Sequence, residues 1–365
     1  MIYFDHNATT PVRPEVIALM TKIMGDAGNA SSTHHAGRAA SMLVEKAREQ
    51  MAAAINTRPA QIIFTSCATE SINTILKTFR GERILSSSVE HAAVLDCGQA
   101  EMEIIPVDDS GIIQIDALED ALRRDPKPAL VNIMMVNNET GVIQPIKDIA
   151  KIVHQYDALL HVDAVQALGK ILVDFQDTGA DYMSFSAHKI GGPQGVGCFA
   201  FAAQKPIRPL LVGGKQEKRQ RAGTTNVAGV AGMGLAAEMA VANMGIYDNL
   251  AIWRDDVETR LQSQIDGLYV NGADAPRVGN TISLTCPDIT NTVQMMNLDL
   301  EKICVSQGSA CSSGVTKPSH VLLAMGLSED DALATLRISM GWNTTQKDIE
   351  SFIDSYSKII KRLRQ

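Results

Sequence analysis

Tyr182-Met183-Ser184-Phe185, followed at once by Ser186-Ala187-His188-Lys189, decides how the rest of the chain is read. The first four residues form a short β-type run, and the next four set an amine beyond its C-terminal end. A lone lysine is in most chains a solvated surface charge. Here a second run upstream, Leu159-Leu160-His161-Val162, leads into Asp163-Ala164-Val165-Gln166, so a carboxylate and an amine follow successive strands.

Working outward, further β-type runs at 61–65, 83–86 and 129–136 precede those at 158–162 and 182–185, and helical spacing fills 71–79, 117–124 and 146–156 between them. This alternation predicts an α/β fold, a mostly parallel sheet with helices on both faces. Helix-spaced apolar residues also cover 14–24 and 38–55, separated by the turn Gly28-Asn29-Ala30-Ser31-Ser32. A long helical stretch over 227–265, interrupted by glycines, carries the chain into a second unit. That unit has expected strands at 281–284, 303–306 and 336–340 and helices at 319–325 and 345–363. The division expected is a large domain, 15–258, and a smaller α+β domain made of 1–14 and 259–365.

At 365 residues and 45% apolar content the chain can bury more than one core. A net charge of −8, from 33 basic and 41 acidic side chains, argues against a polyanion-binding surface and against nucleic acid as a direct ligand. Six cysteines, at 67, 97, 198, 286, 304 and 311, form no C-x-x-C pair and no metal-finger spacing, so reduced thiols are expected, with no disulfide framework and no metal site. The opening residues lack the pattern of a signal peptide, and no segment approaches ~20 consecutive apolar residues. The expectation is a cytoplasmic protein without membrane contact.

In an open parallel sheet ligands bind beyond the carboxyl ends of the strands. Thr65-Ser66-Cys67-Ala68-Thr69-Glu70 offers small residues at a helix start, suited to a phosphate; an ordinary cap by Ser66 or Thr69 is the alternative. The run at 83–86 leads to His91, an imidazole able to lie over an aromatic ring or to move protons, or to serve structure alone. Asn137-Asn138-Glu139-Thr140-Gly141 supplies amides for a cofactor oxygen or a substrate carboxylate, or simply a turn. Asp163 and Gln166 match a pyridine nitrogen and a phenolic oxygen, and Ser186 and His188 beside Lys189 add phosphate donors. All five strand ends together supply what pyridoxal 5'-phosphate needs: a lysine Schiff base, an acidic partner for the ring nitrogen and a phosphate cradle.

Gly195-Val196-Gly197-Cys198-Phe199-Ala200 matches a dinucleotide fingerprint on paper, but it leads into an apolar strand instead of following one into a helix. The phosphate loop of ATPases and the H-E-x-x-H zinc motif do not occur. Cys311 stands apart from the other thiols in Ser306-Gln307-Gly308-Ser309-Ala310-Cys311-Ser312-Ser313-Gly314, a run expected to be a mobile loop over about 306–318 and thus to expose a reactive sulfur. Arg337, within an expected strand, has a fork suited to a carboxylate, with a structural ion pair as the alternative.

Taken together the chain resembles the cysteine desulfurases of the class V aminotransferase superfamily, in the branch serving iron-sulfur cluster and nitrogenase assembly. The resemblance runs through Tyr3 to Thr10, Gly28 to His34, Phe64 to Ser71, Glu90 to Leu95, Asn137 to Gly141, His161 to Gln166 and Ser184 to Lys189. Arg221 to Thr224, Gly308 to Gly314 and Arg337 to Ser339 complete it. Where the family usually has G-G-G-Q-E-R-G this chain reads Gly213-Gly214-Lys215-Gln216-Glu217-Lys218-Arg219, a more basic and less flexible loop, and Gly279 stands where proline is frequent. The C-terminal residues run only to Gln365, short of the longer tail many relatives use near a docking surface.

The resemblance implies a seven-stranded sheet of the fold type I kind and pyridoxal 5'-phosphate held on Lys189. His91 would stack on its ring, Asp163 pair with its nitrogen and Gln166 with its phenolic oxygen, while Ala68, Thr69, Ser186 and His188 hold the phosphate. Thr224 would reach the phosphate of a neighbouring subunit, implying a homodimer with shared active sites, and Asn138 and Arg337 would bind the substrate carboxylate. L-cysteine would give L-alanine, with the sulfur held as a persulfide on Cys311 and passed to an iron-sulfur scaffold or another acceptor protein. The alternatives are a selenocysteine lyase or another pyridoxal enzyme of the same fold and, in a different class, a non-catalytic sulfur-carrier-binding scaffold.

Overall fold

A computed structural model of the protein describes residues 1–98, 102–307 and 317–365. The short β1 (Ile2–Tyr3) is followed by β2 (Ile62–Thr65), β3 (Ile84–Ser87), β4 (Met102–Ile105), β5 (Leu130–Met134), β6 (Leu159–Asp163), β7 (Tyr182–Ser186) and β8 (Gly197–Phe201). The last seven make one sheet in the order β2-β8-β7-β6-β5-β3-β4. Only β8, antiparallel to both β2 and β7, departs from the parallel arrangement. Both faces of the sheet are covered, so β2, β3, β5 and β7 are buried at every residue. That explains their unbroken apolar runs.

The helix Pro14–Met24 begins on its proline, and the 20-residue helix His35–Ala54 is capped by the His34 imidazole. Both pack on the helix Val227–Ala242, and the contact is close because glycine replaces side chains there. A Cβ on Gly234 would stand 2.6 Å from the Ala47 Cα. The expected long helix over 227–265 is two helices, Val227–Ala242 and Ile246–Gln264, bent by 67° at the break. Among the described residues no single helix is long and apolar enough to cross a membrane.

A second sheet has the order β12-β10-β9, where β9 is Tyr269–Val270, β10 is Thr281–Thr285 and β12 is Thr335–Ser339. The expected strand at 303–306 shortens to β11 (Ile303–Cys304), paired with β1, while Ser306 makes one bridge to Arg337. A separate apolar cluster lies under these strands, joining Phe4, Leu261, Ile282, Ile338 and Phe352. The amphipathic helix Gln346–Leu363 closes it, started by a Thr345–Asp348 capping box.

Candidate active site

The carboxyl ends of the parallel strands open on a cavity of about 690 Å³. Its wall takes Ala68 and Thr69 from the start of the helix after β2, His91 from beyond β3, Asn138 from beyond β5, Asp163 from the end of β6 and Gln166 from just beyond it. Ser186 ends β7, His188 and Lys189 follow in the short turn beyond it, and Arg337 crosses from β12. Parallel pairing of β6 with β7 sets Asp163 opposite Ser184, which carries Asp163 and Lys189 to one mouth. Thr224 is exposed and does not line the cavity. Cys311 lies outside the described residues.

The helix Ala68–Thr78 is capped by neither Ser66 nor Thr69: the Cys67 sulfur accepts from the Glu70 amide at 3.5 Å. Glu70 takes the Ser66 amide at 2.7 Å and the Arg221 fork at 2.8 and 3.2 Å. Burial works against its charge, but Arg221 and Ser66 hold the Glu70 carboxyl below its usual range. Cys67, Ala68 and Thr69 therefore line the cavity from a braced turn. Gly197 passes behind that turn, where a Cβ would stand 2.5 Å from the Cys67 carbonyl carbon and 2.8 Å from the Ala68 nitrogen. The dinucleotide-like glycine is thus a packing residue.

At the end of β6, burial raises the Asp163 carboxyl above its usual range, while the Val165 amide at 2.9 Å and the charges of His91 and Lys189 oppose the shift. A buried carboxylate facing an open cavity matches a ring N–H cation. Burial, with Arg337 adding to it, lowers Lys189 to about 8, against Asp5 and Asp163. Its Nζ donates to the carbonyls of Asn7 and of Ala8, the latter at 2.7 Å. His91 accepts from the Ala93 amide through Nδ1 at 3.0 Å, and burial lowers its pKa, so the ring is held neutral. His188, lowered to about 4 by burial and Lys189, pairs with Thr9 at 3.2 Å. The amine, the acid, the neutral imidazole and the helix-start amides fit pyridoxal phosphate as a set.

The Asn137–Gly141 segment divides between a turn and the cavity wall. Asn137 makes the turn, its Oδ1 accepting from Glu139 and Thr140 amides at 2.9 and 3.0 Å, whereas Asn138 lines the cavity. The Asn138 carbonyl accepts from Arg337 Nη1 at 3.3 Å, and Arg337 Nη2 pairs with Asp5 at 2.7 Å. The ion pair and the cavity position therefore coexist. The basic loop at 213–219 is pinned by Glu217, which takes the Arg48 fork at 2.8 Å on both oxygens and the Phe64 amide at 3.0 Å.

Sequence reasoning assigned no role to Asn7, Lys170, Glu139 or His320. Asn7 ties the two sheets together through Thr281 at 2.9 Å and Asn138 at 3.1 Å. Its carbonyl accepts from Gln166 Nε2 at 2.9 Å. These contacts span up to 274 positions, and no local pattern announces them.

The class-V aminotransferase family matches residues 2–352. The protein described as "Cysteine desulfurase IscS" from Dictyoglomus turgidum is 40% identical over 377 residues, spanning 100% of this chain and 95% of the relative. A NifS-like protein from Rickettsia africae ESF-5 superposes with a TM-score of 0.93 at 34% identity, covering 99% of each chain. A structure described as SspA in complex with cysteine matches with a TM-score of 0.79 at 30% identity, over 93% of this chain and 99% of that one.

Proposed function

This chain belongs to the class-V aminotransferase family and to its cysteine desulfurase branch, and we propose that it removes sulfur from L-cysteine with pyridoxal 5'-phosphate, leaving L-alanine. The observation that carries the reading is the convergence of Lys189, Asp163 and Arg337 on one cavity. Asp163 would hold the ring nitrogen, Gln166 the phenolic oxygen, and Ala68, Thr69, Ser186 and His188 the phosphate. When bound, the cofactor supplies an electron sink conjugated to the substrate amine.

Arg337, with the Asn138 segment, grips the substrate carboxylate through a two-pronged hydrogen bond. Lys189, lowered to about 8, is a base poised near neutrality and takes the α-proton. His91 would lie over the ring of a bound cofactor and, with Nδ1 occupied by the Ala93 amide, would present Nε2–H as a proton donor to the substrate carbon. The Cys311 thiolate attacks the substrate sulfur and keeps it as a persulfide for an acceptor protein, such as an iron-sulfur scaffold or a thiolation partner. A homodimer, with Thr224 reaching the partner subunit's phosphate site, accounts for the exposure of Thr224 outside the cavity of its own chain. The division into 15–258 against 1–14 with 259–365 is proposed on the ground that Phe4 packs in the same apolar cluster as Ile282, Ile338 and Phe352.

The test is alanine formed from L-cysteine by purified, cofactor-loaded protein beside its Cys311→Ala variant, under reducing conditions. Alanine from the wild type alone is expected. Equal alanine from both would remove Cys311 from the mechanism, and none from either would remove cysteine as the substrate.

A further inference from the structure

We propose that His320 is a catalytic base of this cavity, taking the proton of the substrate thiol while its sulfur is transferred. The proposal rests on the reading of L-cysteine as substrate. His320 opens the helix His320–Ala324 and lines the same cavity as Lys189 and Asp163. Its Nε2 lies 2.9 Å from the Glu90 carbonyl oxygen. A carbonyl only accepts, so Nε2 carries the ring proton, and in the neutral ring Nδ1 holds the lone pair. No described residue donates to that nitrogen.

His91 is wired in the opposite sense. The Ala93 amide donates to its Nδ1 at 3.0 Å, which leaves the proton on Nε2. One backbone turn, through the Glu90 carbonyl and the Ala93 amide, therefore fixes one imidazole as an acceptor and the other as a donor. The start of the His320 helix is itself anchored, because Ser319 Oγ donates to Glu139 Oε2 at 2.5 Å. Besides His320, the charged and titratable groups among the described residues lining the cavity are Asp5, Cys67, His91, Glu139, Asp163, His188, Lys189 and Arg337. Lys189 is committed to the α-proton, so the thiol proton needs a second acceptor.

The step balances without a further reactant. As the Cys311 thiolate forms the S–S bond, the C–S electron pair leaves to the substrate carbon. The S–H pair stays on sulfur, and the proton passes to Nδ1. Carbon is reduced and the sulfur pair oxidised to a persulfide anion, while the imidazolium keeps its Nε2–H on Glu90 and returns the extra proton to water.

The test compares the wild-type holoenzyme with His320→Gln, which keeps a donor for Glu90 but no base, and with His320→Ala. Alanine formation should fall about 100-fold in both variants, with cofactor loading and the absorbance change on adding L-cysteine retained. Added imidazole should restore part of the rate to His320→Ala. Nitrogen-15 NMR of histidine-labelled protein, with or without cofactor, should find His320 protonated on Nε2. A Gln variant with the wild-type rate, or an Nδ1–H tautomer, would overturn the proposal while leaving the cysteine reading intact. A wild type that makes no alanine would overturn both.

Discussion

Lys170 holds the side-chain amide of Gln166: its Nζ donates to Gln166 Oε1 at 2.6 Å, four residues away and fully within the protein. The same Nζ donates to Asn7 Oδ1 at 2.8 Å. With Oε1 turned to Lys170, Gln166 Nε2 is left to donate, and in this structure it reaches the Asn7 carbonyl at 2.9 Å. Burial, with Lys189 and Arg337 adding to it, pushes Lys170 well below the usual lysine range, yet it remains a donor in either protonation state.

Lys170→Met should free the Gln166 amide to rotate and leave its buried oxygen without a partner, at a cost of about 1–3 kcal/mol. Urea unfolding of the cofactor-free protein should register that loss, and equilibrium dialysis should find pyridoxal phosphate held about tenfold more weakly. Unchanged affinity together with lost stability would mean that Lys170 supports the fold and not Gln166.

As the proposed Schiff-base amine Lys189 would react in its neutral form, and its value of about 8 implies that the neutral fraction grows as pH rises through that point. The rate at which cofactor-free protein takes up pyridoxal phosphate should therefore climb between pH 7 and 9, with a midpoint near 8. Stopped-flow absorbance would follow it. A midpoint near the ordinary lysine value of about 10.4 would contradict the desolvated site.

Gly197→Ala tests the brace behind the turn proposed to bind the phosphate. Its Cβ would meet backbone, not a flexible side-chain end, at Cys67 and Ala68. Overpacking of this kind costs about 1–3 kcal/mol, and the shifted amides should lower phosphate affinity. Thermal melts with and without pyridoxal phosphate would separate the two effects: a smaller cofactor-induced rise in melting temperature marks the displaced turn.

The parts of the fold legible in the sequence are those whose signal is local. Strands β2, β3, β5, β6 and β7 announced themselves as apolar runs because the sheet is covered on both faces, and the polar residues beyond them fell where parallel strands deliver ligands. The edge strand β4 escaped, since three of its four residues keep some solvent contact and its pattern is no longer purely apolar. The helix Asn291–Leu300 also escaped; only Asn291, Gln294 and Leu298 are buried on it, and two of those are polar. In the site, Lys189 and Asp163 could be read from strand-end position. Lys170, His320 and Asn7 could not, because what marks each is a partner distant in sequence or set by the fold: the Gln166 amide, the Glu90 carbonyl and the Thr281 hydroxyl.

Acid sensitivity follows from three histidines that the fold keeps neutral. Burial lowers His6 to about 4, His161 to about 3 and His188 to about 4. His161 is the clearest, with Nδ1 donating to Asn132 Oδ1 at 2.5 Å and Nε2 accepting from Ser184 Oγ at 2.9 Å. Below about pH 6.5 the unfolded chain takes up protons at these positions and the native protein does not. Unfolding then binds protons, so stability is fully present above that pH and drains away as pH falls toward the native values. The urea midpoint should drop between pH 7 and 5. In His161→Gln, which cannot titrate, the dependence should be shallower by up to about 1.4 kcal/mol per pH unit. Identical slopes in wild type and variant would mean that His161 does not change its protonation on unfolding.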